Sequence, residues 1–266
     1  MRALYNVSSI MATAAFARFR SAKRLERLRN CGDTVARRIA DVLVRAKAGD
    51  LTESREWLQR IEAKRTELLQ TDRVIPSGRV AKLCKASKKA KPATIMHLLI
   101  REFRPAHVLE LGTNLGISAA YLASALKING QGRVVTIELA PDRVDLARQL
   151  HTSLGLDNVS YVCGRFADTL GPVLDDLVSV ELAFIDGHHQ MQPTLDYFER
   201  ISRHASSEAL LVFDDIRWSP GMWRAWQSLR ADARIRVGVD MLGYAICAGR
   251  QAPSAGQKCL VGPILC

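Results

Sequence analysis

Three aspartates and a histidine stand where chemistry would be expected, at the ends of two apolar runs. FIDGHHQ (Phe184 to Gln190) carries Asp186 and His189, and VFDDIRW (Val212 to Trp218) carries Asp214 and Asp215. If the two runs are neighbouring parallel strands, the three carboxylates reach one edge of a sheet and repel one another unless a cation or protons intervene. A set of oxygen ligands suits Mg²⁺, Mn²⁺ or Ca²⁺ better than zinc. Histidine as a residue type, with an ordinary pKa of about 6.5, suits proton abstraction near neutrality, which makes His189 a candidate general base and Asp186 its catalytic neighbour. The plainer reading gives some of these aspartates to loop capping and leaves His189 on an exposed surface.

A second constellation lies upstream in VLELGTNLGISAAYLA, Val108 to Ala123, which reads as strand, turn and helix. A dinucleotide fingerprint needs GxGxxG, but counting from Gly112 puts Asn114 and Ile117 at the other two glycine positions. No Lys or Arg occurs from Val108 to Leu126, and Glu110 sets a negative charge beside the turn, so a pyrophosphate finds little here but backbone N–H groups. A ligand with a positive end is favoured, such as the ammonium and sulfonium of S-adenosylmethionine. Asn114 suits a tight turn because Asn visits the left-handed region more readily than most residues. The next strand ends in Glu138, placed to accept both hydroxyls of a ribose. The turn Gly164 to Asp168 follows a third strand. Phe166 or Ala167 could touch an adenine ring there and Asp168 bond its amine, or Asp168 could cap a helix.

These residues need a frame that brings strand ends together. Asp33 caps an amphipathic helix over residues 33–48, a second helix runs from Thr52 to about Leu69, and Pro76-Ser77-Gly78 breaks the pattern. From Pro92 onward helix and strand alternate. Helices are predicted over 93–103, 115–127, 142–153, 193–204 and 220–231. Strands are predicted over 107–111, 133–138, 159–163, 182–186 and 209–213, with a final antiparallel pair near 235–239 and 244–247. That alternation defines an α/β, doubly wound, mainly parallel sheet with ligands beyond the carboxyl ends of its strands. The divisions expected are a basic helical extension over 1–92, the sheet domain over 93–249 and a loose tail over 250–266.

Charge follows this division. Residues 1–104 hold 24 Lys+Arg against 10 Asp+Glu, whereas the remainder holds 14 against 17, within a net charge of +11. The densest run is KLCKASKKAK, Lys82 to Lys91, in which Lys82, Lys85 and Lys89 share a helical face. A solvated face or linker explains it. An acidic surface or nucleic acid is the alternative partner, though no aromatic residue is interleaved for base stacking. No apolar run approaches the roughly 18 residues of a membrane span. The six cysteines show no metal-finger spacing and are expected as reduced thiols in the cytoplasm. Residues 1–25 carry five Lys/Arg and no acid, so a mitochondrial transit peptide is the alternative.

Taken in order, ELGTNLGISAAYLA, VVTIE, GRFADTL, FIDGHHQ and VFDDIRWSPGMWRAW resemble the class I S-adenosylmethionine-dependent methyltransferases, in their O-methyltransferase-like branch, over about residues 93–248. The resemblance implies a Rossmann-like sheet of seven strands with an antiparallel last strand. It implies S-adenosylmethionine as cofactor, with Glu110, Gly112, Thr113, Asn114, Gly116, Ser118 and Asp186 about its methionine end. Glu138 would then hold the ribose and Phe166, Ala167 and Asp168 the adenine. In metal-dependent members, residues matching Asp186, Asp214 and Asp215 hold Mg²⁺, and some sugar-directed members place a histidine as His189 is placed. The activity implied is methyl transfer to a hydroxyl of a small molecule, a sugar or a phenol, with Trp218, Met222, Trp223 and Trp226 as candidate walls for the acceptor. The rivals are an RNA or protein methyltransferase using the basic region, against whose N6-adenine form the missing (D/N)PPY motif counts, and a noncatalytic cofactor-binding module. A homodimer is among the assemblies such a chain could form.

Overall fold

Residues 19–249 and 258–265 are described by a computed structural model of the chain. The N-terminal part is helical: α1 covers 19–29, α2 Thr34–Ala48 and α3 Arg55–Gln70. The Asp33 carboxylate accepts from the Ala36 N–H at 3.0 Å and so caps α2, and Gly49 closes it in the left-handed conformation. The expected break at Pro76 to Gly78 is the turn of a small antiparallel ribbon, β1 (Val74–Ile75) with β2 (Gly78–Arg79). Helices α4 (Val80–Ala86) and α5 (Ala90–Phe103) then take up most of the lysine run. Of residues 1–25, on which the transit-peptide reading rests, 1–18 lie outside the described part.

The alternating half follows as β3 (His107–Leu111), α6 (Ile117–Asn129), β4 (Arg133–Glu138), α7 (Pro141–Leu154), β5 (Val159–Cys163), α8 (Phe166–Asp176) and β6 (Val180–Ile185). It continues through α9 (Met191–Ser202), β7 (Ala205–Asp214), α10 (Pro220–Ala231), β8 (Ile235–Asp240), β9 (Tyr244–Gly249) and β10 (Cys259–Val261). The sheet order is β10-β8-β9-β7-β6-β3-β4-β5. Only β9 runs antiparallel to its neighbours. Chain order reverses between β3 and β6, so the crevice for a ligand opens where the loop after Leu111 meets the loop after Ile185.

Two expectations are corrected here. The sheet has eight strands rather than seven, because Cys259–Val261 adds a parallel strand to the edge of β8. The tail is therefore not wholly loose: Cys259, Val261 and Ile264 are buried, and the strand covers an edge that would otherwise stand open. The turn after Gly164 also opens a full helix, α8, which buries Leu170, Val173 and Leu174 against the sheet.

Side chains alternate across each strand and so fill two cores. Val108, Phe184, Leu210 and Val212 face one core, while Leu109, Leu111, Ala183 and Phe213 face the other. The first core also contains Leu28, Ile39, Leu43 and Met96, so the described part of the N-terminal region packs into the same interior as the sheet. His97, fully buried on α5, ties these helices together. Its Nδ1–H donates to the Tyr121 carbonyl at 3.0 Å, and its Nε2 accepts from the Ser54 hydroxyl at 2.8 Å. Among the described residues no helix is long and apolar enough to cross a membrane.

Candidate active site

The loop leaving β3 is built from backbone conformations that few residues tolerate. Gly112 (φ 104°), Asn114 (φ 47°) and Gly116 (φ 82°) are all left-handed. Gly112 is required by a close approach, since a β-carbon there would stand 2.2 Å from the carbonyl oxygen of Asp186. A β-carbon on Gly116 would meet Ala147 and the His151 ring, and His151 Nε2 donates to the Gly116 carbonyl at 2.8 Å. That glycine therefore lets α7 close on the loop. Asn114 does more than turn the chain. Its N–H donates to Glu138 Oε2 at 2.9 Å, and its Nδ2 donates to the Leu83 carbonyl at 3.0 Å and the Ser87 hydroxyl at 3.2 Å.

Glu110 lies fully buried beneath this loop. Thr136 donates to its Oε2 at 2.6 Å and Thr113 bonds Thr136 in turn, whereas Oε1 is buried with no hydrogen bond of normal geometry. Burial pushes its pKa up to about 7; the hydroxyls of Ser118 and Thr136 oppose this, and nearby Glu138 adds to it. A buried carboxylate oxygen without a donor is matched by a cationic N–H. Glu138, at the end of β4, is nearly buried and also accepts from the Ala140 N–H at 3.1 Å. Phe166 opens α8 with its ring edge-on to His188 and Tyr197, and Gly187 leaves it room. Ala167 and Asp168 are exposed in the first turn of that helix. Asp168 does not cap it, and its side chain lines a cleft of about 350 Å³ with Val135, Val162 and Pro172.

At the ends of β6 and β7 the structure brings together Asp186, His189, Asp214 and Asp215. His189 stands between two carboxylates, with Nε2 3.7 Å from Asp186 Oδ1 and Nδ1 3.6 Å from Asp215 Oδ2. His188, His189 and Asp215 all have positive φ, so, with Asn114, four of the six non-glycine residues of that kind among the described residues sit at these strand ends. Such conformations collect at functional sites, where surrounding structure holds them. Burial raises the Asp186 carboxyl well above the usual range, with Asp214 adding to it, and the same two causes raise Asp215.

The expected divalent-cation site does not fit this arrangement. Among the described residues no group of three His, Cys, Asp or Glu side chains is disposed to hold a metal ion. The ammonium of Lys88 is instead paired with Asp214 Oδ1, which also accepts the Asp215 N–H at 2.8 Å. The Lys88 side chain is 9% exposed and that of Asp214 6%, so this is an interior pair. The solvated-face reading of the lysine run thus fits exposed Lys82, Lys85 and Lys89 but not Lys88, which the turn between α4 and α5 points inward. Its period along the run gave no signal of this. A further correction concerns the tryptophans: Trp226 is wholly buried in the core and Met222 nearly so, whereas Trp218 is 71% exposed, 6.2 Å from the His189 ring.

In its fold the chain is similar to solved O-methyltransferases held with S-adenosylmethionine or S-adenosylhomocysteine. Residues 109–216, less than half of the chain, match the family model described as a methyltransferase domain. Mouse catechol O-methyltransferase is 35% identical over 95 residues, covering 35% of each chain. The catechol O-methyltransferase of Mycobacterium tuberculosis is 31% identical over 137 residues, 51% of this chain and 60% of that one. The chain thus spans less than two thirds of the length of these curated relatives. Among solved structures, the O-methyltransferase of Bacillus cereus in complex with S-adenosylhomocysteine superposes with a TM-score of 0.54 at 21% identity, over 73% of this chain and 91% of that one.

Proposed function

We propose that this protein is an enzyme that transfers the methyl group of S-adenosylmethionine to a hydroxyl oxygen of a small molecule, a sugar or a phenol. The observation that carries the reading is His189, held between Asp186 and Asp215 at the strand ends beside the loop that leaves β3. The relatives named above as O-methyltransferases support it.

The cofactor fits the residues present. Glu110, whose Oε1 takes no hydrogen bond of normal geometry, suits an ammonium donor, the loop carries no basic side chain, and Glu138 would hold the ribose. Gly112, Thr113, Asn114, Gly116 and Ser118 would shape the methionine end, with Phe166, Ala167 and Asp168 toward the adenine. When bound, the cofactor supplies an electrophilic methyl on a sulfonium. The protein's part is to align the acceptor oxygen and to take its proton. His189 accepts that proton at a ring nitrogen, with Asp186 3.7 Å and Asp215 3.6 Å from its two nitrogens. Exposed Trp218 offers a face on which a sugar or phenolic ring can stack beside His189. No step is assigned to a divalent cation.

The test is a methyl-transfer screen with labelled S-adenosylmethionine across phenols, sugars, RNA and protein acceptors, each in EDTA and in Mg²⁺. Label on a small hydroxyl compound is the expected result. Label confined to RNA or protein overturns the acceptor class, and no label with any acceptor points to a noncatalytic module.

A further inference from the structure

Resting on the methyltransferase reading, we infer that the ammonium of Lys88 takes the place of a divalent cation at the strand-end carboxylates, leaving an acidic site whose counter-charge comes from the protein itself and which excludes a metal ion. Lys88 comes 126 residues before Asp214, on a turn outside the alternating strands, yet its Nζ reaches Asp214 Oδ1 in the interior. An unpaired buried ammonium is expensive, and so are three unpaired carboxylates, so each group accounts for the presence of the other. The remaining two carboxylates, Asp186 and Asp215, are bridged by His189 and feel the Lys88 charge as well. At the ends of β6 and β7, one oxygen of each of Asp186, Asp214 and Asp215 therefore lies within 4.0 Å of a nitrogen of the chain.

The lysine is held in place, not merely in reach. Arg65 donates to its carbonyl oxygen at 2.7 Å, and Asn114 grips the preceding Ser87 hydroxyl and the Leu83 carbonyl. The ammonium also lies 4.9 Å from the Tyr244 ring centre and 5.8 Å from that of Phe184, within the range of cation–π attraction. Asn114 belongs to the cofactor loop, so the same residue links that loop to the turn carrying the counter-charge. Lys88 acts by holding Asp214, and through it the loop bearing Asp215, and is a positioning residue.

The test is Mn²⁺ binding, followed by loss of the free-ion electron paramagnetic resonance signal, on the full chain and on Lys88→Met and Lys88→Arg. Wild type is expected to bind Mn²⁺ no better than millimolar. Lys88→Met should gain a site at least about tenfold tighter, a gain of about 1.4 kcal/mol, and Lys88→Arg should not. Micromolar binding by the wild type, lost in Asp214→Asn, overturns the inference. So does a folded Lys88→Met, judged by circular dichroism, that gains no Mn²⁺ affinity. Should Lys88→Met fail to fold, the wild-type and Asp214→Asn titrations decide alone. S-adenosylhomocysteine binding by calorimetry separates the two readings: its absence defeats the methyltransferase reading, while the Mn²⁺ comparison still judges Lys88.

Discussion

A β-carbon on Gly112 would stand 2.2 Å from the carbonyl oxygen of Asp186, so the loop after β3 and the loop bearing the acidic cluster touch through a missing side chain. The Asp186 N–H donates to the Leu111 carbonyl at 2.9 Å, which fixes the second strand end against the first. Gly112→Ala must move one of them and also carries the cost of a φ of 104°. We expect a loss of about 3 kcal/mol in urea unfolding. A stability within experimental error of wild type would show that the two loops are not coupled here.

Glu138 is expected to carry ribose recognition. S-adenosylhomocysteine should raise the melting temperature of the wild type, and Glu138→Ala should abolish the rise. An undiminished rise in the variant assigns the ribose to another residue.

His189→Ala should lower turnover by about 10²–10⁴, the usual range for losing a general base, with S-adenosylhomocysteine affinity retained. Turnover near wild type would place the base elsewhere.

The tryptophans should separate by burial. Trp218→Ala, at a position 71% exposed, is expected to raise KM for the acceptor with a stability change within about 0.5 kcal/mol. Trp226→Ala should cost about 3–5 kcal/mol, because its side chain is fully buried against Leu229 and Ile235 in the second core. Equal effects on KM would mean that the acceptor wall is not local.

His97 makes stability depend on pH. Burial holds its imidazole down to about 4, against an ordinary 6.5, with Arg101 adding to this and the Tyr121 carbonyl opposing it. The unfolded chain takes up the proton near 6.5 and the folded chain resists it to about 4. The stabilisation is therefore full above 6.5 and is lost as pH falls through that window. His97→Gln should flatten the pH dependence there by about one proton, roughly 1.4 kcal/mol per pH unit. An unchanged slope in urea titrations would show that His97 is not the group that titrates.

His107–Leu111, Arg133–Glu138 and Val159–Cys163 were read with the boundaries observed, whereas the strands read over 182–186 and 209–213 are Val180–Ile185 and Ala205–Asp214. Each of the first three is a short apolar run closed by a charged or turn-forming residue, so chain-local information suffices. The same holds for Asn114, whose left-handed φ of 47° follows from the turn it must make. Trp226 and Trp218 were indistinguishable by type. Only the packing of α10 on the sheet sends one into the core and leaves the other, before that helix begins, in solvent.

By itself, then, the sequence determined the order of seven of the eight main-sheet strands, the left-handed turn after β3 and the arrival of Asp186, His189, Asp214 and Asp215 at the strand ends, because period and turn chemistry act over a few residues. The tertiary structure decided that Lys88 enters the acidic cluster, that Glu110 keeps an unpaired oxygen, and that Cys259–Val261 closes the edge of β8. These depend on which distant groups meet. Neutralising a buried charge or covering a strand edge is a property of the packed molecule, and a run of five lysines reads the same whether or not one of them turns inward.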